Sequence, residues 1–191
     1  SMYTKCAELG VGLYFLTANG KLRYRIEGRT KGNVVVRKQQ YLLSETQRGL
    51  GIASSMISGK IQNCIYAISR FMWNHAGMSD VELDKARKKL EAMNERAMYG
   101  ADVNELRGIE GSAGRIYYDI FDKFILVPDE RLHFSGRNRR PPKDCCNALL
   151  SYVYTMLMVD YISAIESLVL DPYVGFMHGD RSGKPSLALD M

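Results

Sequence analysis

Three short stretches hold the side chains with the most obvious chemical use. In GFMHGDRSGKPSLALDM, residues 175–191, His178 lies between Gly175 and Gly179, with Asp180, Arg181, Gly183 and Lys184 following. Glycines let a backbone turn sharply or pass close to a ligand, and a neutral imidazole serves as metal ligand or general base. The plain alternative is a loop histidine hydrogen-bonded to backbone. Glu110 sits in RGIEGSAGRIYY, with Gly108, Gly111 and Gly114 around it. Each glycine costs a helix about 1 kcal/mol relative to alanine. Close approach of another helix, or of a nucleic-acid backbone, would offset that cost. A carboxylate on so bare a surface is open to a cation, or it is incidental to a helix crossing. FSGRNRRPPKD gathers Arg137, Arg139, Arg140 and Lys143 just ahead of a helix start. Guanidinium forks and helix N-termini both suit phosphate, although a solvated loop has the same composition.

One imidazole, one carboxylate and a further acid near His178 make a donor set for a hard divalent cation, Mg or Mn. Other chemistries are excluded. The P-loop pattern fails at GDRSGK, because His178 stands where its first glycine belongs and Pro185 replaces the hydroxyl residue. No nucleophile elbow G-x-S-x-G is present. Cys6, Cys64, Cys145 and Cys146 form no C-x-x-C pair, so all four are read as reduced and a zinc site is not expected.

These residues need elements to position them. GLYFLTANGKLRYRIEG reads as a hairpin turning at Asn19-Gly20, and NVVVRKQQYLL as a third strand after a turn at Lys31-Gly32-Asn33. From Ser44 the period becomes helical: Leu50, Ala53, Ile57, Ile61, Cys64, Ile68 and Phe71 form one stripe. A break follows at Asn74 to Gly77. Ser79 with Glu82 reads as a capping box for a helix with Leu83, Ala86, Leu90 and Met93 inside. A third helix covers ELRGIEGSAGRIYYDIFDKF. Asp144 caps a fourth, from Cys145 to about Val169. Its uncharged run, Cys145 to Val159, is shorter than the roughly 20 apolar residues a bilayer needs, so a buried core helix is expected and no membrane association. Ser186 is positioned to cap a fifth helix.

The 191 residues carry a net charge of +5. The excess is concentrated early: residues 1–40 hold eight basic and two acidic groups, against nine and eleven in 108–191. That balance is compatible with nucleic acid and does not require it.

Taken together, GIEGSAGRIYY, FSGRNRRPPKDCCNALLSYVYTML and GFMHGDRSGKPSLALDM resemble the universal endonuclease/integrase of CRISPR adaptation, the first of the CRISPR-associated (Cas) proteins, in wording nearest to type I, subtype C. GVGLYFLTANGKLRYRIEGRTKGNVVVRKQQY resembles the end of that family's β domain. The resemblance implies an α+β fold: part of a β domain over residues 1–43, then part of a mainly α-helical, metal-dependent catalytic domain over 44–191, both truncated. It implies a cytoplasmic DNA endonuclease/integrase that inserts short DNA by attack of a 3′-OH on a phosphodiester, an exchange of one such bond for another. It further implies Mg or Mn held by Glu110 and His178, and a third acidic ligand one helical turn past Asp190, beyond Met191. Asp190 and Asp180 would orient or substitute for ligands, and Arg137, Arg139, Arg140, Arg181 and Lys184 would hold DNA phosphates. The implied partners are double-stranded DNA, the second Cas protein and a second copy bound through the β domain. On this reading the chain is an internal fragment, with Ser1 before Met2 a remnant of tag removal, and it is expected to be inactive alone. The competing reading is a non-catalytic nucleic-acid-binding or scaffold protein in which Glu110 and His178 are structural.

Overall fold

The computed structural model describes residues 1–17, 22–26, 28, 34–75, 80–100, 102–139, 141–179 and 181–191. The architecture is α+β, a small hairpin followed by a predominantly helical body. A short helix α1 (Met2–Glu8), not foreseen in the sequence, precedes strands β1 (Leu13–Leu16) and β2 (Leu22–Ile26). The strands pair antiparallel, with Leu13 opposite Ile26 and Phe15 opposite Tyr24. The Phe15 and Tyr24 rings stack at 4.4 Å. The expected turns at Asn19-Gly20 and Lys31-Gly32-Asn33 lie outside the described residues. Arg25 of β2 pairs with Glu166 at 2.5 Å, tying the hairpin to the helical body.

The expected third strand is instead helix α2 (Val34–Ser44). β-propensity describes a fit to a half-buried pleated surface, and Val34, Val35 and Val36 are exposed. The tertiary contacts of α2 decide the outcome. Gln40 is buried, and its amide nitrogen donates to the Asp171 and Val174 carbonyls, both at 2.8 Å. Its amide oxygen accepts from the Asp171 N–H at 2.7 Å. A tertiary clamp of three hydrogen bonds overrides the local preference of three valines.

Helices α3 (Gln47–Asn74), α4 (Val81–Met98) and α5 (Val103–Asp119) pack around one core. The predicted α3 stripe is the buried one: Leu50, Ala53, Ile57, Ile61 and Ile68 are in the core, with Cys64 and Phe71 packed against it. On α4, Leu83, Ala86 and Leu90 are buried and Met93 packs beside them. Ser79 lies outside the described residues, and Asp80 caps α4 by accepting from the Glu82 N–H at 2.7 Å. Asp102 caps α5. That helix stops at Asp119, one turn before the expected end, and a 3-10 segment covers Phe121–Phe124.

Asp144 caps helix α6 (Cys145–Ser167) as expected, accepting from the Asn147 N–H at 2.7 Å. The expected burial of α6 is corrected: only 17% of its most apolar stretch is buried, and Leu149, Tyr152, Val153, Tyr154 and Leu157 are exposed. A helix apolar on every side needs cover all round, and among the described residues only one side receives it. By length and composition α6 is the one helix among the described residues that is apolar enough to cross a membrane, although Asp160 and Glu166 lie on it and Glu166 is paired with Arg25. Helix α7 (Ser186–Asp190) follows Pro185. Ser186 does not cap it; the buried hydroxyl donates to the Gly179 carbonyl at 3.2 Å. Leu187 and Ala188 of α7 pack on Ile162 and Ile165 of α6.

Candidate metal centre

His178 belongs to the segment between α6 and α7. Its neighbour Met177 is 2% exposed and lies in the main core, and Phe176 packs against both apolar clusters. The segment is therefore seated by two large side chains immediately before the histidine. The remaining constraint is Asp190, which is fully buried. Its Oδ2 accepts from the Phe176 N–H at 2.6 Å and the Met177 N–H at 3.0 Å. Its Oδ1 accepts from the His178 N–H at 3.0 Å and from Nδ1 of the His178 ring at 2.6 Å. Gly175 permits this packing, since a Cβ there would stand 2.6 Å from Asp190 Oδ2 and 3.0 Å from Ser186.

Burial pushes the Asp190 carboxyl upward in pKa, but the hydrogen bonds from His178 and the Met177 and Phe176 N–H groups outweigh it and hold the group below its ordinary value. The carboxylate is thus an acceptor only. The proton shared with it sits on Nδ1, which leaves Nε2 as the ring's free donor atom.

Glu110 approaches from α5 and is about one-third exposed. Two cationic side chains join α5 to the histidine segment and to α7. Arg107, one turn before Glu110, donates through Nε to the Met177 carbonyl at 3.0 Å, and through Nη2 to the same oxygen. Lys60, from α3, donates to Glu110 Oε1 at 2.9 Å and to the Leu189 carbonyl at 3.1 Å. Glu110 is therefore bridged to the residue before Asp190, and its helix to the residue before His178. Gly108, Gly111 and Gly114 meet no atom within 4 Å, so the expected close approach of another helix is not made by any described residue.

Among the described residues no group of three or more His, Cys, Asp or Glu gathers as a metal site. The chemistry of the donors present fits a hard divalent ion that keeps most of its sphere for water and phosphate oxygens: one carboxylate with an uncommitted oxygen, and one imidazole oriented through its other nitrogen. Asp190 orients the histidine and is committed to four hydrogen bonds. Asp180 lies outside the described residues.

The basic residues divide. Arg137 turns inward, donating to Asn147 Oδ1 at 2.8 Å and to the Asn138 carbonyl at 3.0 Å. Its guanidinium carbon lies 6.0 Å from the Tyr118 ring centroid and 5.6 Å from that of Tyr154. It holds the loop onto α5 and α6. Arg139 and Arg181 are exposed and Lys184 half-buried, and no ion pair to a described residue engages any of the three. Arg140 lies outside the described residues.

Sequence reasoning missed Lys60 and Arg107. A signal existed for Lys60. It falls three residues after Ile57 and four before Cys64, at the edge of the α3 core stripe, where a charge needs a partner.

The family model for CRISPR associated protein Cas1 matches residues 1–191, and the chain belongs to that family. A CRISPR-associated endonuclease Cas1 of Chlorobaculum tepidum is 41% identical over 188 residues, which are 97% of this chain and 55% of that protein. One of Rhodospirillum rubrum is 41% identical over 193 residues, again 97% and 55%. The chain thus spans about half the length of the curated relatives it matches. Among solved structures, a Cas1 protein from Thermotoga maritima superposes with a TM-score of 0.75 at 26% identity, covering 98% of this chain and 57% of that one. A casposase bound to integration product gives 0.76 at 27% identity, with 98% and 51% covered.

Proposed function

We propose that this chain forms part of a cytoplasmic, metal-dependent DNA endonuclease/integrase of CRISPR spacer acquisition, with Glu110 and His178 as two ligands of a Mg or Mn ion. The observation that carries the reading is Asp190. A buried carboxylate that fixes three backbone N–H groups and the Nδ1 proton of one ring serves to aim Nε2, which a merely structural histidine does not require. When bound, a divalent ion polarises a phosphoryl oxygen and eases deprotonation of the attacking hydroxyl or water. The protein's own residues do the rest. Asp190 keeps the imidazole in one tautomer, Arg107 holds α5 against the histidine segment, Lys60 links it to α7, and Glu110 supplies negative charge on an open helix face. Arg139, Arg140, Arg181 and Lys184 hold DNA phosphates, while Arg137 positions the loop that carries the first two.

In this reading β1–β2 end a β domain near residue 43, through which two copies pair, and residues 44–191 belong to the catalytic domain. Double-stranded DNA and the second Cas protein are the partners. The casposase neighbour, solved with an integration product, supports DNA as the substrate. In the competing scaffold reading, Glu110 and Lys60 are an ordinary ion pair. Full-length protein separates the two: Glu110→Ala or His178→Ala abolishes Mg- or Mn-dependent cleavage and integration with the circular dichroism unchanged. Full activity in both variants refutes the assignment.

A further inference from the structure

We propose that Lys60 is a positioning residue of this centre, an ammonium that stands in for the divalent ion on Glu110 until the ion displaces it. The inference rests on the metal-centre reading above. Its basis is one side chain with two anchors on different elements. Lys60 Nζ meets Glu110 Oε1 of α5 at 2.9 Å and the Leu189 carbonyl of α7 at 3.1 Å. The two bonds of the one ammonium place the Glu110 carboxylate beside Leu189, next to the residue that orients His178. Glu110 is therefore positioned and charge-compensated with no ion bound.

A cation on a ligand carboxylate competes with any ion that would take its place. The Lys60 and Glu110 side chains are 28% and 32% exposed, so solvent weakens the pair without removing it. Lys60 also lines an open groove of about 630 Å³ along α3, with Arg48, Ser55, Asn63, Tyr161 and Met191. An ammonium displaced from Glu110 remains on the wall of that groove, which Arg48 also lines.

The test measures Mn²⁺ affinity by water-proton relaxation in full-length protein. Lys60→Met and Lys60→Gln each tighten Mn²⁺ binding about fivefold at low salt, the equilibrium equivalent of one partly exposed ion pair. Lys60→Gln is the second variant because its amide can still donate to the Leu189 carbonyl. Lys60→Arg keeps the charge and stays close to the parent affinity. Glu110→Gln weakens binding, and adding Lys60→Met to it brings no gain. Neutral variants at Lys60 that weaken Mn²⁺ binding or leave it unchanged, while Glu110→Gln still weakens it, overturn the stand-in role and leave the metal centre intact. No effect of Glu110→Gln refutes the metal centre itself, and the role of Lys60 with it.

Discussion

Replacing Asp190 by alanine tests the part of the site on which the rest depends. The side chain is fully buried and accepts from the Phe176, Met177 and His178 N–H groups and from the His178 ring. An orphaned buried donor costs about 1–3 kcal/mol. Met177 is 2% exposed, so its N–H bears the full penalty. Phe176 and His178 are only partly buried, and water repairs part of theirs. The sum is about 3–4 kcal/mol. A chain of 191 residues loses about 2–4 °C in Tm per kcal/mol, so Asp190→Ala lowers Tm by about 6–16 °C, read by calorimetry. Asp190→Asn keeps the volume but turns an acceptor atom into a donor facing N–H groups, so most of the loss persists. Nitrogen NMR of the imidazole then shows the proton divided between Nδ1 and Nε2, where the parent carries it on Nδ1. A Tm change under about 2 °C for Asp190→Ala, or an unaltered tautomer, refutes the reasoning.

Two further outcomes test the surroundings. Gly108→Ala with Gly111→Ala meets no atom within 4 Å and raises stability by about 2 kcal/mol in denaturant unfolding; no gain shows that α5 is constrained there. Hydrogen bonds to Asp144 from the Asn147 amide, the Asn147 N–H and Asn138 outweigh its burial and hold its carboxyl below the ordinary value. Its contribution to stability is thus complete above the unfolded value near 3.9 and is lost as pH falls through the lower folded value. Asp144→Asn, which still caps, flattens that acid limb in Tm measured between pH 5 and pH 2.

The helical body was legible because α3 and α4 each bury one continuous stripe, and position in the stripe alone predicts Ile57, Ile61, Leu83 and Leu90 as core. Asp144 was legible as a cap for an equally local reason. Helix α2 was not, since Gln40 wins its place through partners more than 130 residues away, which no window of sequence contains. His178 and Glu110 stood out by their glycine settings, and the family resemblance gave them roles. The resemblance gave Asp190 an orienting or substituting role, and the folded segment shows how it closes back on residues 176–178. The long uncharged run of α6 predicted a helix correctly and its burial incorrectly, because apolarity reports a need for cover and not whether these residues supply it.

The two halves of the site differ in how the chain reaches them. Asp190 meets the residues it fixes across separations of 12 to 14 positions, whereas Lys60 reaches Glu110 across 50 and Leu189 across 129. Closing a loop of about ten residues takes on the order of 10–100 ns, and the entropic cost of closure rises with length. The histidine turn is consequently expected to close faster than the helices dock. In a refolding chain the histidine turn is expected to close first, and the link from Glu110 through Lys60 to Leu189 to form with the docking of the helices. Slow steps in assembling the candidate site are therefore expected in helix docking, and mutations that retard it are expected at the α3–α5 interface, where Lys60 meets Glu110.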